Sequence, residues 1–95
     1  MDRQQINNSI VKYLEQYGPE RIGIFGSYAR NENIRGSDID ILVRFKETIS
    51  LFDLVRIHRE LSSILVKDID LITESSLKNK ALQESIYKDL QIIYE

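Results

Sequence analysis

Hydrophobic and polar positions along the chain follow two repeats, one typical of helices and one typical of strands. Apolar residues three or four positions apart predict amphipathic helices, and alternation or short apolar runs predict strands. The predicted helices cover residues 3–17, a short stretch from about 27, 50–65 and 77–88. The predicted strands cover residues 21–25, 38–45 and 66–73. This order predicts a small α/β (α+β) fold, in which helices pack on a mixed sheet of three or four strands.

The ends of these elements carry local signals. The Gly-Pro pair at 18–19 ends the first helix, Ser27 is the predicted N-cap of the short second helix, and Ser75-Ser76 is the predicted cap of the last. Residues 90–95 fit either a short edge strand or a continuation of the last helix. The helix over 50–65 is predicted to turn its apolar side inward. That side consists of Leu51, Leu54, Val55, Ile57, Leu61, Ile64 and Leu65.

The strand over 38–45 delivers two carboxylates side by side. Ile39 and Ile41 alternate with Asp38 and Asp40, so the apolar side chains point to one face and the carboxylates to the other. Oxygen ligands of this kind suit Mg²⁺. Exposed strand residues are usually polar, so such a pair alone is more often a solvated face than a metal site.

The strand over 21–25 ends in Gly26-Ser27, at the start of the short helix. Backbone N–H groups at such a turn can bind phosphate oxygens, and Arg30, about one helical turn further on, can reach a triphosphate oxygen. Alone, a Gly-Ser pair is a common turn and Arg30 an ordinary surface charge. A phosphate-binding turn next to a carboxylate strand describes a site for a metal–nucleoside triphosphate.

A third carboxylate, Asp70, lies on the strand over 66–73. Nucleotidyl transfer depends on positioning and on cations that offset charge on the phosphoryl oxygens, and two metal ions can serve the attacking and leaving oxygens. Asp38 and Asp40 would bridge the ions, while Asp70 would bind the acceptor-side ion and act as general base. Without a cation, neighbouring carboxylates raise one another's pKa, which favours a Mg²⁺ site.

Composition narrows the class of protein. The chain has 95 residues, of which 42% are hydrophobic and 29% charged, and we expect one globular domain over 1–95. Its net charge of −2 disfavours a template-dependent polymerase, which needs a basic surface. The chain has no cysteine for a disulfide or thiolate metal site, and its first residues lack the apolar core of a signal peptide, so we expect a cytoplasmic location. The single histidine, His58, has charged neighbours and is predicted to be a surface residue.

Two segments together resemble the signature of the polymerase-β-like nucleotidyltransferases, most closely that of the minimal nucleotidyltransferases (MNT) of bacteria and archaea. These segments are Gly26-Ser27-Tyr28-Ala29-Arg30 and Ser37-Asp38-Ile39-Asp40-Ile41-Leu42-Val43. Asp70 matches the family's third carboxylate, Asp68 does not belong to the triad, and Asn31 replaces a glycine found in many members. The resemblance implies the nucleotidyltransferase fold. The site residues that it implies are catalytic and metal-binding Asp38, Asp40 and Asp70, and nucleotide-binding Gly26, Ser27, Arg30 and Ser37.

The resemblance also implies a function. MNT proteins are similar to antitoxins that use Mg²⁺ and ATP to transfer AMP to a tyrosine of a separate helical partner of the HEPN type, often a ribonuclease toxin. One alternative is a non-catalytic antitoxin that occludes its partner. Another is a small-molecule transferase of the antibiotic-modifying kind. The base preference, the acceptor and the oligomeric state stay open at this point.

Overall fold

The computed structural model describes residues 1–31 and 38–95 of the chain. Its strands are β1 (Pro19–Phe25), β2 (Ile39–Phe45), β3 (Ile69–Thr73) and β4 (Gln91–Tyr94). Its α-helices are α1 (Arg3–Leu14), α2 (Gly26–Ala29), α3 (Leu51–Leu65) and α4 (Lys80–Asp89), and single 3₁₀ turns cover Glu15–Tyr17 and Glu74–Ser76. Within the described residues, no helix is long and apolar enough to cross a membrane.

The four strands form one mixed sheet in the order β3-β2-β1-β4. β1 is antiparallel to both of its neighbours, β2 and β4, whereas β2 and β3 are parallel and are joined through α3. A parallel connection needs such a crossover, while antiparallel neighbours do not. The predicted mixed α/β sheet with packed helices is therefore confirmed. The last segment is a strand, which settles the alternative between strand and helix.

Both faces of the sheet are covered. The larger core lies between the sheet and helices α1 and α3, and the smaller core lies on the opposite face, below α4. The larger core includes Ile6, Ile10, Leu14, Ile22, Ile24, Ile39, Ile41, Val43, Ile57, Leu61, Leu65 and Ile69. The smaller core contains Phe25, Leu42, Leu77 and Ile86. Leu42 follows Asp40 on the same face of β2, so one face of this strand changes from carboxylate to apolar within two residues.

The prediction for the inward face of α3 was wrong in part. Leu51, Val55 and Ile64 are 73%, 58% and 43% exposed, while only Ile57, Leu61 and Leu65 of the helix are fully buried. The reason is that α3 packs beside β3, a strand at the edge of the sheet, so a single stripe of the helix meets the core. Phe52, at 85% exposed, adds to this uncovered apolar surface at the start of α3.

Two element boundaries also differ from the predictions. Val66 lies in the left-handed conformation (φ 53°) as the C-cap of α3, so β3 begins only at Ile69. Ser75 and Ser76 belong to a 3₁₀ turn, and the N-cap of α4 is Asn79, whose side chain accepts a hydrogen bond from the Leu82 N–H at 2.9 Å. The buried Leu77 holds the intervening segment extended against the smaller core, which delays the start of the helix.

Candidate active site

The three predicted carboxylates come from the start of two neighbouring parallel strands. Asp40 of β2 lies directly opposite Asp70 of β3 in the strand register, and Asp38 lies just before β2. The Ile39 N–H donates to the Asp68 carbonyl at 3.1 Å and fixes this register at its first residue. Since adjacent strands lie about 4.8 Å apart and registered residues share a face, Asp40 and Asp70 project together. Asp38 follows the same alternation.

The environment of Asp40 disfavours its ionised form. Burial raises the pKa of the Asp40 carboxyl, the negative charges of Asp70 and then Asp38 raise it further, and the positive charge of Arg30 partly opposes them. This is the repulsion expected of clustered carboxylates. A bound cation would reverse it, because positive charge close to Asp40 stabilises the carboxylate.

Gly26 packs directly against the Asp40 carboxylate. Phe25, the last residue of β1, pairs with Asp40 of β2, and the chain then turns at Gly26 with φ of 75°. A Cβ atom at position 26 would lie 2.1 Å from Asp40 Oδ2, which is closer than two non-bonded atoms can approach. No side chain therefore fits at this position. Backbone freedom and close approach thus both require glycine. The turn that could bind phosphate is in contact with the carboxylate that could bind metal.

The prediction that Ser27 caps the short helix was wrong. Phe25 is the N-cap of α2 and makes no side-chain cap bond, so Ser27 lies inside the first turn. The N-cap lies two residues earlier than predicted because Gly26 adopts a conformation that bends β1 directly into the helix. Ser27 is half-buried beside this turn. Its nucleotide-binding role stays a prediction, as does that of Gly26.

Two residues of the C-terminal segment hold α2 in place. Asp89 Oδ2 accepts from Arg30 Nη1 at 2.6 Å, and the Gln91 side-chain amide donates to the Ala29 carbonyl at 2.7 Å. Sequence reasoning missed both Asp89 and Gln91. No local signal marks them, because they lie about sixty positions from α2 and reach it only through the pairing of β4 with β1. The positive charge of Arg30 acts to lower the pKa of Asp40. The Arg30 side chain therefore lies close to the carboxylates while it is paired with Asp89.

One predicted site residue, Ser37, lies outside the described residues. His58 is exposed, as predicted, but it lines a pocket together with Asp70, which the sequence did not suggest.

The carboxylates fit a hard divalent cation by their chemistry. Asp38, Asp40 and Asp70 offer only oxygen ligands, the type that Mg²⁺ prefers. Within residues 1–31 and 38–95, no three His, Cys, Asp or Glu side chains form a ready-made metal site. The raised pKa of the Asp40 carboxyl supports a cation at this place, because a neighbouring positive charge would offset the crowded negative charge of the carboxylates.

Comparison with known proteins identifies relatives of this chain. A model of the nucleotidyltransferase domain matches residues 8–93. A Methanocaldococcus jannaschii protein is 46% identical over 90 residues, which cover 90% of this chain and 97% of that protein. Protein adenylyltransferase MntA of Thermococcus cleftensis is 40% identical over 77 residues, which cover 77% of this chain and 78% of the MntA chain.

Solved structures agree. A toxin–antitoxin crystal structure with AMP-PNP superposes with a TM-score of 0.83 at 28% identity, covering 93% of this chain and 72% of that one. A complex of the tri-AMPylated HEPN toxin of Shewanella oneidensis with MNT antitoxin gives a TM-score of 0.79 at 25% identity. The match covers 98% of this chain and 72% of that one. With a family match over almost its whole length and the fold of these structures, this chain belongs to the nucleotidyltransferase domain family, as a minimal nucleotidyltransferase.

Proposed function

We propose that this chain transfers AMP from Mg²⁺-bound ATP to a tyrosine hydroxyl of a HEPN-type toxin and acts as its antitoxin. The observation that carries the proposal is the register of Asp40 opposite Asp70, with the Gly26 turn packed on the Asp40 carboxylate. This arrangement supplies phosphate-binding and metal-binding groups at one point. A cytoplasmic location, where ATP is available, belongs to the same proposal.

The relatives support the protein acceptor. MntA of Thermococcus cleftensis carries the name protein adenylyltransferase, and the Shewanella complex contains an AMPylated HEPN toxin together with MNT antitoxin. The structure with AMP-PNP supports an adenosine triphosphate as the donor.

The transfer itself is an exchange of bonds at the α-phosphorus. The acceptor oxygen forms a new bond to this phosphorus, the bond from it to the bridging oxygen of the β-phosphate breaks, and pyrophosphate leaves. The hydroxyl proton passes to the Asp70 carboxylate, the predicted base. Asp38, Asp40 and Asp70 would hold Mg²⁺, which offsets the negative charge that develops on the phosphoryl oxygens. The Gly26 turn orients the triphosphate, so the chain contributes mainly position and charge.

The test is transfer of label from α-labelled ATP to a HEPN-type protein from the same genome, in the presence of Mg²⁺. We expect Asp40→Asn to reduce labelling by about 10²–10³-fold, the size typical of removing one preorganised charged group. Asp68→Asn is the matched control. It removes the same charge from an exposed residue two positions before Asp70 and should label at the wild-type rate. Equal labelling by Asp40→Asn and wild type would refute the assigned site.

Occlusion is the second candidate function. The uncovered apolar side chains at the start of α3, Leu51, Phe52 and Val55, favour contact with another protein, and such contact needs no chemistry. An Asp40→Asn protein that no longer labels the toxin but still neutralises it fully would identify occlusion as the antitoxin mechanism. Loss of both labelling and neutralisation would identify adenylylation.

A further inference from the structure

Arg3, the first residue of α1, contacts both the ring and the backbone carbonyl of Tyr28 in α2. Its guanidinium carbon lies over the Tyr28 ring, 4.1 Å from the ring centroid, and its Nη2 donates a hydrogen bond to the Tyr28 carbonyl. A planar guanidinium can stack on a ring and donate at its edge at the same time. Because Tyr28 is only 4% exposed, the contact fixes the side chain and the backbone of a buried residue together.

The position of Arg3 is itself fixed by the N-terminal cap of α1. The Asp2 side chain accepts a hydrogen bond from the Gln5 N–H at 2.8 Å, and the Gln5 side chain accepts one from the Asp2 N–H at 2.9 Å. Such a capping box orders the first helical turn. Ile6 and Ile10 of the same helix are buried in the larger core. Arg3 therefore reaches α2 from a well-fixed point.

α2 depends on contacts of this kind for its position. It has four residues, too few for a helix to be stable by its own hydrogen bonds. α1 lies over the larger core and α4 over the smaller one, so contacts from these helices reach α2 from both faces of the sheet. Three consecutive positions at the end of α2 are each bonded to a distant element, through the pairs Arg3–Tyr28, Gln91–Ala29 and Asp89–Arg30.

We infer that Arg3 is a positioning residue for the nucleotide, because it holds α2, and with it the Gly26 turn, in place against Asp40. This inference rests on the proposed function and extends the site to α1. Arg3 precedes residues 8–93, which the nucleotidyltransferase domain model matches. It acts through Tyr28 and supplies no group to the reaction. A turn that is already ordered binds its ligand more tightly, since binding then carries a smaller entropic cost.

Arg3→Met tests the contact, because it keeps an unbranched side chain and removes the guanidinium. Arg21→Met is the matched control. It removes the same charge from another partly buried arginine, near the start of β1, whose Nε donates to Glu74 at 3.0 Å. Both variants should unfold at a lower denaturant concentration than the wild type. In calorimetry below the melting temperature, only Arg3→Met should bind Mg²⁺–AMP-PNP more weakly, by about tenfold.

Hydrogen exchange measures the hold on α2 without any nucleotide. The Arg30 N–H donates to the Gly26 carbonyl at 3.2 Å, so its protection reports how often α2 opens. Arg3→Met should speed exchange at this amide about tenfold relative to the amides of β2, as expected of a local opening. Arg21→Met should leave this ratio unchanged.

Transfer from α-labelled ATP separates the nucleotide from the acceptor. Arg3→Met should raise the KM for ATP about tenfold and leave the KM for the HEPN-type acceptor unchanged. Arg3→Lys keeps the charge but replaces the planar guanidinium by a compact ammonium group, so it should recover only part of the lost affinity.

Three results would each overturn the inference. They are unchanged AMP-PNP affinity in Arg3→Met, an equal loss in Arg21→Met, and full recovery in Arg3→Lys, which would reduce the role of Arg3 to its charge. Failure of the wild-type protein to bind AMP-PNP or to transfer label would instead overturn the proposed function. Exchange at the Arg30 amide would still show whether Arg3 holds α2, so the two proposals fail in different experiments.

Discussion

At the scale of single residues, the site depends on contact between Gly26 and Asp40. Gly26→Ala adds a methyl group that meets Asp40 Oδ2 and also strains a left-handed backbone. We expect a loss of about 1–2 kcal/mol in the free energy of unfolding from the backbone alone. We also expect transfer to fall about a hundredfold as the carboxylate is displaced.

Gly18→Ala is the matched control for this variant. Gly18 has φ of 67°, close to that of Gly26, but a Cβ there would have no atom within 4 Å. It should therefore lose similar stability in a denaturant titration and keep full transfer activity. Equal activity losses in both variants would show that backbone strain, and not contact with Asp40, explains the need for glycine at position 26.

The raised pKa of Asp40 predicts a dependence of stability on pH. A carboxyl whose pKa is higher in the folded than in the unfolded state stabilises the fold at low pH, and this stabilisation is lost as pH rises through the folded pKa. Asp40→Asn cannot ionise, so without metal its melting temperature should exceed that of the wild type near neutral pH. The difference should shrink as pH falls through the raised pKa of the folded state, and it should vanish below the pKa of an unfolded aspartate, where both states are protonated.

The measurement is a melting curve at several pH values in EDTA, repeated with Mg²⁺. Bound Mg²⁺ should stabilise the wild type and not Asp40→Asn, because only the wild type keeps the carboxylate. An advantage of the variant that stays constant from acidic to neutral pH would contradict the assigned repulsion.

Residue-level prediction succeeded where it depended on strand periodicity. The shared face of Asp38 and Asp40 follows from alternation alone, and so does their mutual repulsion. It failed for Ser27, because the start of a helix depends on backbone angles and Gly26 sets these. The close packing of Gly26 on Asp40 needs the pairing of two strands, which no local pattern contains.

At the scale of secondary-structure elements, α2 depends on a distant strand for its position. Gln91→Ala removes the hydrogen bond from β4 to the Ala29 carbonyl, at a cost of about 0.5–1.5 kcal/mol in the free energy of unfolding. We also expect weaker binding of Mg²⁺–AMP-PNP, measured by calorimetry, because the Gly26 turn, which we propose binds phosphate, begins the helix that ends at Ala29.

Gln83→Ala is the comparison. The Gln83 side-chain amide donates to the Leu77 carbonyl at 2.6 Å, a bond of the same type away from the site. Its loss should cost similar stability and leave nucleotide affinity unchanged. Identical nucleotide affinities in the two variants would assign Gln91 a purely structural role.

The exposed start of α3 predicts an unusual tolerance of polar substitution. Phe52→Ser should change the free energy of unfolding by no more than about 0.5 kcal/mol, since the side chain is 85% exposed. Ile57→Ala, in the buried stripe of the same helix, should cost about 2–5 kcal/mol. Chemical denaturation of both variants gives the comparison. A large loss for Phe52→Ser would mean that this side chain is covered in solution.

At the scale of the whole molecule, the sequence predicts most elements but not their arrangement. Helical and strand periodicities locate α1, α3 and the first three strands to within a few residues. The strand order places β1 between β2 and β4, two partners that are distant from each other in the chain, and periodicity contains no information on such pairing. The exposure of Leu51, Val55 and Ile64 on α3 was not predicted for the same reason, since the burial of a helix face depends on where the sheet ends.

The contact between Gly26 and Asp40 also couples the substitutions that the two positions can accept during evolution. While an aspartate remains at 40 in this position, it leaves no space for a side chain at 26. A relative that abandons catalysis and replaces Asp40 with a smaller residue removes the steric half of this constraint, leaving only the left-handed backbone. Joint drift at the two positions would therefore mark descendants that keep the fold as antitoxins by binding alone, and retention of both would mark lineages still selected for chemistry.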